Sequence, residues 1–535
     1  MHWWQTGVIY QIYPRSFQDT NGDGVGDLKG IIERLPYLVE LGVDAIWLSP
    51  VFPSPMADFG YDISDYTGID PLFGSLADFD ALVARAHALG LKLIIDLVPN
   101  HTSNRHPWFI ESRVSRQSAK RDWYIWRNGA PQGGPPNNWL SEFGGSAWEY
   151  DAASDQYYYH AFLREQPDLN WRNPQVRSAM HEVMRFWLRR GVDGFRVDVI
   201  WHLMKDEAFR DNPPNPDYRD GDPAYKSLLP LYSTDRPEVH EVIRGLRAVV
   251  DEFADRVLIG EIYLPVEKLA AYYGEEKLAA YYGEGLSGAH LPFNFALIET
   301  PWRADAVASL IDRYEGSLPA GAWPNWVLGN HDRPRLVSRI GPEQTRVAAM
   351  LLLTLRGTPT LYYGDEIGMI QVPIPPGMVR DPWGINVSGQ GRDGCRSPMP
   401  WDASFYAGFS NVEPWLPLAA DSGASNTESA SADPNSLLTL YRRLTALRRA
   451  RPALTQGAYR PVAQSGTVLA FERVAGGEAL LVALNFGGET ENNVILPDAY
   501  LGTVLLSSMP GRAGEAIAGR LTLRPHEGLI ISPDS

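Results

Sequence analysis

Gly194-Phe195-Arg196-Val197-Asp198-Val199-Ile200 alternates apolar and charged side chains at a spacing of two. On a strand that period sends Phe195, Val197 and Val199 to one face and Arg196 and Asp198 to the other. In a closed barrel the first set would meet the surrounding helices and the second would point inside. Burying an Arg and an Asp is costly unless they pair and are hydrogen-bonded, so the pair is either a structural ion pair or working chemistry. Three more runs repeat the pattern. Asp96 comes late in Leu93-Ile94-Ile95-Asp96-Leu97-Val98, with Asn100 and His101 just beyond; Glu261 ends Leu258-Ile259-Gly260-Glu261; and Trp326-Val327-Leu328-Gly329-Asn330 runs into His331-Asp332. A lone carboxylate at a strand end could be a helix cap, but several on separate strands converge on the face where barrel enzymes carry their sites. Clustered carboxylates suit glycoside cleavage, whose oxocarbenium-like transition state needs a nucleophile or base, an acid and nearby negative charge. Mutual repulsion also keeps one of them protonated near neutral pH.

Such a cluster needs a scaffold. Strand-like runs at 8–14, 44–50, 92–98, 194–200, 257–262, 290–295, 325–330 and 359–364 alternate with helical periodicity at 30–41, 77–89, 175–190, 237–253, 304–314 and 344–355. Strand-then-helix repetition implies a parallel sheet with right-handed crossovers, and eight strands would close it as a (β/α)8 TIM barrel; an open doubly wound sheet is the alternative. Two excursions interrupt the alternation. Residues 102–172 are rich in Trp, Tyr, Pro and Gly and predict an inserted domain over the C-terminal face, and about 205–235 reads as a lid segment. The expected division is a barrel over 1–101 and 173–454, with the insertion between them, followed by a C-terminal antiparallel β-sandwich over 455–535. The Ser/Ala/Gly-rich stretch 421–433 reads as a mobile loop, and 436–449 as the last barrel helix. Residues 267–275 and 276–284 are identical copies of Glu-Lys-Leu-Ala-Ala-Tyr-Tyr-Gly-Glu. Nine residues turn a helix by about half a revolution beyond whole turns, so both copies cannot bury the same face of one helix.

Composition narrows the partners. Across 535 residues the net charge is −16, which argues against nucleic acid and anionic membranes, and 17 Trp and 25 Tyr suit stacking on sugar rings. Cys395 is the only cysteine, so no intrachain disulfide and no cysteine-rich zinc site can form. The N-terminus has no basic-then-apolar pattern, and the longest apolar run, 347–355, is too short to span a bilayer, so a soluble cytoplasmic protein is expected. Nothing in the sequence calls for an organic cofactor or fixes the state beyond a monomer or small homo-oligomer.

The segments Asp96-Leu97-Val98-Pro99-Asn100-His101, Gly194-Phe195-Arg196-Val197-Asp198, Gly260-Glu261 and Asn330-His331-Asp332 resemble, in order and spacing, four motif regions of the α-amylase superfamily. Within it the chain is most similar to bacterial α-glucosidases and oligo-1,6-glucosidases over essentially its whole length. The resemblance implies a retaining mechanism with Asp198 as nucleophile, Glu261 as general acid/base and Asp332 as transition-state stabiliser. It implies that Arg196 orients Asp198 and that His101 and His331 bond the sugar. Gly60-Tyr61-Asp62 resembles the segment whose Asp grips the non-reducing glucose above a stacking Tyr, and Gly391-Arg392-Asp393 the segment whose Arg pairs with that Asp. Such a pair would close the pocket and make the enzyme exo-acting on small saccharides. Val199 follows the nucleophile, where relatives preferring α-1,6 links often carry Val. Asp19-Thr20-Asn21-Gly22-Asp23-Gly24-Val25-Gly26-Asp27 spaces oxygen donors like the start of an EF-hand loop, without the closing Glu. Relatives hold Ca²⁺ or Mg²⁺ in this loop, which here implies a structural cation on Asp19, Asn21, Asp23, the Val25 carbonyl and Asp27. Two rivals remain: a transglucosylating isomerase such as a trehalose synthase, and a barrel that has lost catalysis and serves as a partner protein.

Overall fold

The computed structural model describes residues 1–274, 286–494 and 501–534. Eight parallel strands form one sheet: β1 (Ile9–Ile12), β2 (Ala45–Leu48), β3 (Lys92–Leu97), β4 (Gly194–Val197), β5 (Val257–Ile262), β6 (Leu291–Asn294), β7 (Asn325–Val327) and β8 (Thr358–Tyr362). Each is followed by a helix of the outer ring: α1 (Leu28–Leu41), α2 (Leu76–Ala88), α3 (Pro174–Arg189), α4 (Val239–Asp251), α5 (Val266–Tyr272), α6 (Ala304–Ser317), α7 (Thr345–Thr354) and α8 (Leu437–Ala450). The helices start where the chain supplies caps: Asp27 accepts from the Gly30 amide, Ser75 from Asp78, Asn173 from Gln175 and Ser436 from Thr439. Helix α5 coincides with the first copy of the duplicated nonapeptide; the second copy lies outside the described residues.

Backbone ladders run β7-β8-β1-β2-β3-β4-β5-β6, and among the described residues no ladder joins β6 to β7. The Asn325 side chain bridges that seam, with Oδ1 accepting from the Asn294 amide at 2.8 Å and Nδ2 donating to the Pro292 carbonyl at 2.7 Å. Pro292 lacks an amide hydrogen and fits an edge position. Gly194 is required for a different reason: a Cβ there would fall 2.3 Å from the Val257 carbonyl of the adjoining strand.

Alternation sorts the two faces. Ile9, Trp47, Ile94, Val257, Ile259, Leu291, Phe293 and Val327 fill the barrel interior. Tyr10, Ile46, Leu93, Ile95, Phe195, Val197 and Leu258 pack against the helices. The interior positions nearer the C-terminal ends are Gln11, Asp96, Arg196 and Glu261, all buried. The expectation for Val199 is corrected here: β4 ends at Val197, and Val199 turns left-handed at φ 39°.

The excursion after β3 contains the short helix Pro107–Val114 and an antiparallel sheet of Trp126–Arg127, Gln156–Tyr159 and Trp148–Asp151. Asn138 and Asn212 tie it to the excursion after β4 by reciprocal bonds, Asn138 Nδ2 to the Asn212 carbonyl and the Asn212 amide to Asn138 Oδ1, both 2.8 Å. The stretch 421–433 is not all loop: Asn426 caps a helix at Thr427–Ala432. Beyond α8 the sheet Ala458–Ser465, Val468–Ala475, Glu478–Asn485, Gly528–Pro533, Leu501–Ser507 and Ala516–Ala518 is antiparallel. Leu469, Phe471, Leu480, Val482 and Ile530 join the core shared with the barrel helices. The opposite face, Val468, Leu481, Val504 and Ile531, packs with Val494, Leu521 and Leu523 of the pair Glu491–Val494 and Leu521–Leu523.

Candidate active site

The C-terminal ends of the barrel strands and the two excursions enclose a cavity of about 360 Å³ lined by Tyr61, His101, Asp198, Val199, Glu261, His331, Asp332 and Arg392 among others. Arg196 organises its base. The guanidinium is fully buried, with Nη1 2.6 Å from Asp96 Oδ1 and 2.7 Å from Asp198 Oδ1, and Nη2 2.7 Å from Glu261 Oε2. Glu261 Oε2 also accepts from the Val199 amide at 2.9 Å, a contact that the left-handed turn at Val199 makes available. Asp198 Oδ2 and Glu261 Oε1 are therefore the oxygens not drawn to Arg196. Burial raises both acids; their proximity adds to the rise at Asp198, while Arg196 opposes it at both. The two titrate as a pair, both above the ordinary carboxylate range.

Asp332 has the opposite environment. Burial favours its neutral form, but the neighbouring His331 ring and the guanidinium groups of Arg392 and Arg396, each 3.1 Å from Oδ1, hold it well below the usual carboxylate range. The arginines dominate near neutrality, because burial keeps His331 uncharged. Gln11 Nε2 lies 2.7 Å from His331 Nδ1, and Tyr61 Oη lies 2.7 Å from Nε2. With the Gln11 amide donating, Nδ1 accepts and Nε2 carries the hydrogen. The Tyr61 and His331 rings stack at 5.4 Å and 3°. Burial likewise pushes His101 down to about 4, and its Nε2 lies 3.0 Å from the Tyr61 carbonyl.

One expectation is overturned. Asp62 is not a partner of Arg392 and does not line the cavity: its Oδ1 accepts from Ser54 Oγ and the Asp58 amide, and its Oδ2 from the Ala57 amide. Burial pushes its carboxyl up to about 6 against the opposing pull of those donors. The acid at the cavity floor is Asp58, with Oδ1 2.6 Å from Arg392 Nη2 and Oδ2 accepting from Gln166 Nε2 at 3.2 Å. Arg392 is held from behind by Asp381 at 2.7 Å. The reason is local: both acids flank Gly60-Tyr61, and the chain reverses between them. Asp58, Gln166, Asp381, Arg396 and the wall residues Phe143, Phe162 and Trp383 escaped the sequence reading. The polar Gln166-Pro167-Asp168 within an aromatic insertion is the signal that could have raised Gln166.

The loop over 19–27 does not line this cavity and folds onto its own amides. Asp19 accepts from the amides of Asn21, Gly22 and Gly24 and from Ser410 Oγ, Asn21 Oδ1 from the Asp23 amide, and Asp23 Oδ1 from the Val25 amide. Asp27 accepts from Thr20 and caps α1. Among the described residues no three His, Cys, Asp or Glu side chains are grouped to hold a metal ion. A cation here would therefore draw on the Asn21 amide oxygen and the Val25 carbonyl as well as carboxylates, a donor set that suits a hard ion such as Ca²⁺.

An eight-stranded barrel, closed by ladders except at the β6–β7 seam, with paired acids at its strand ends around one cavity, defines the class: a (β/α)8 glycoside hydrolase. The profile described as "Alpha amylase, catalytic domain" matches residues 11–457. The chain belongs to the α-amylase family. It is 45% identical over 505 residues to the "Probable alpha-glucosidase" of Rhizobium meliloti, covering 91% of this chain and 90% of that one. It is 38% identical to the oligo-1,6-glucosidase of Halalkalibacterium halodurans, covering 99% and 98%. A crystal structure of the α-glucosyl transfer enzyme XgtA superposes with a TM-score of 0.93 at 41% identity, covering 100% of both chains. Among the described residues no helix is long and apolar enough to cross a membrane.

Proposed function

We propose that this protein is a retaining, exo-acting α-glucosidase that removes a terminal non-reducing glucose from short α-linked saccharides. The observation that carries the reading is the convergence of Asp198, Glu261 and Asp332 on one cavity whose floor is closed by Asp58 and Arg392. In the first step Asp198 Oδ2 attacks the anomeric carbon while Glu261 Oε1 gives its proton to the glycosidic oxygen. The bond to the leaving sugar breaks, and a β-glucosyl ester of Asp198 remains. Water then enters, gives a proton to Glu261 and attacks the same carbon, releasing α-glucose and restoring Asp198. One guanidinium gripping both carboxylates favours the separation of about 5 Å typical of this double displacement over the ~6.5–9.5 Å of inverting enzymes. Asp332, kept ionised, faces the positive charge that develops on the ring, and the stacked Tyr61 and His331 rings line the cavity beside it.

Fresh maltose followed by NMR is expected to give glucose whose first-formed anomer is α, and isomaltose to be cleaved as well, in keeping with Val199. A β-anomer would overturn retention. Conversion of maltose or sucrose to an isomer at constant total disaccharide would overturn hydrolysis. Transfer to an acceptor sugar is the second reading, favoured by the likeness to XgtA, and it differs only in what replaces the water.

The proposal includes a structural Ca²⁺ or Mg²⁺ on Asp19, Asn21, Asp23, Val25 and Asp27. Ligand binding to the folded state alone raises its stability, so a chelator is expected to lower Tm by about 5 °C and either ion to restore it. Asp23→Ala should abolish the difference. A Tm indifferent to chelator would remove the metal from the reading. A cytoplasmic location, supported by the lone buried Cys395, is tested by cell fractionation, and the monomer or small homo-oligomer by sedimentation.

A further inference from the structure

The turn that delivers Asp58 to the cavity floor is strained. Met56 and Phe59, on either side of Asp58, have left-handed backbones with φ of 64° and 47°. There Cβ crowds the following carbonyl, so such a conformation persists only where surrounding contacts over-determine it. Those contacts converge on one group. The Asp62 carboxylate, fully buried, accepts from the Asp58 amide at 3.0 Å, the Ala57 amide at 3.0 Å and Ser54 Oγ at 2.8 Å. Ser54 Oγ in turn accepts from the Met56 amide at 2.9 Å. From outside, the Arg15 guanidinium lies 5.1 Å over the Phe59 ring, and Asp70 accepts from the Ser54 amide.

We propose that Asp62 is a positioning residue: its carboxylate locks the Met56–Phe59 turn in the form that sets Asp58 against Arg392, and so controls recognition of the terminal glucose without touching it. This rests on reading Asp58 and Arg392 as the floor that receives that glucose. Without the carboxylate, the Ala57 and Asp58 amides lose a buried acceptor and the turn relaxes, drawing Asp58 off Arg392. The reacting acids stay in place. Asp198 and Glu261 are held by Arg196, and Asp332 keeps its contact with Arg396 when Arg392 shifts.

The test is a comparison of kcat and KM for maltose and an aryl α-glucoside in Asp62→Asn, Ser54→Ala, Asp58→Asn and the Asp58→Asn/Asp62→Asn double variant. In Asp62→Asn the new amide hydrogens face the donors of the turn. KM is expected to rise about 10-fold with kcat within about 3-fold, whereas a merely structural role would lower both through loss of folded protein. Ser54→Ala should move KM in the same direction by about 3-fold and serves as the readout if Asp62→Asn is insoluble. Because Asp62 acts through Asp58, the double variant should be no worse than Asp58→Asn alone. Additive effects, or an unchanged KM in Asp62→Asn and Ser54→Ala while Asp58→Asn raises it, would overturn the role of Asp62 alone. An unchanged KM in Asp58→Asn would overturn the reading of the floor, and this inference with it.

Discussion

Asp198→Asn is expected to lower kcat on an aryl α-glucoside by about 10⁶-fold, with Tm within a few degrees of the parent. The amide oxygen can still accept from Arg196 Nη1, as Asp198 Oδ1 does at 2.7 Å, so the interior keeps its shape. What disappears is the nucleophile and the charge opposite the developing oxocarbenium ion. An aryl glucoside leaves without much help from a proton, and it therefore isolates the loss of the nucleophile. Retention of more than about one per cent of parental kcat would rule out a covalent ester on Asp198.

Glu261→Gln should divide substrates by leaving group. Maltose, whose departing oxygen must be protonated, is expected to lose about 10³–10⁴-fold in kcat/KM. α-Glucosyl fluoride, whose fluoride leaves unprotonated, should form the ester at a much smaller cost and then stall, because no base activates water. Azide needs no base, and adding it should restore turnover with α-glucosyl azide as product, the retained configuration. The pH profile supplies an independent check. In the parent Glu261 must carry its proton for the first step, so kcat/KM falls as pH rises through the upper titration of the Asp198–Glu261 pair. In the variant that limb should vanish. Equal losses on maltose and the fluoride would falsify the assignment of the acid.

Much of this site is legible in the chain because strands impose a period of two. Arg196 and Asp198 follow from alternation, and Asp96 and Glu261 from being lone carboxylates late in apolar strand runs. The helices are legible through their period and caps, except α5, whose pattern is obscured by the repeated nonapeptide. The loops obey no such rule. Asp58 and Asp62 stand four residues apart beside the same Gly-Tyr, and only the reversal of the strained turn decides which carboxylate faces sugar and which faces its own amides. Arg396, Asp381 and Trp383 come from the long connection after β8 and reach the site through folding that no local spacing encodes. Val199 shows the limit within a motif, since the alternating pattern continues through it while the strand does not.

The Asn325 seam has a consequence for how this chain tolerates change in length. Ladder partners are bound to a common register, so an insertion that shifts one strand is transmitted to its neighbours. Among the described residues strand β6 is laddered to β5 alone, and its other edge is hydrogen-bonded to β7 through the Asn325 side chain. The tandem nonapeptide falls in the connection leading into β6, one of the two strands at the seam, where slack is passed to one ladder partner rather than two. A duplication that would have misaligned the cylinder elsewhere could settle there while leaving β4, β5 and β7, and the acids they carry, in step.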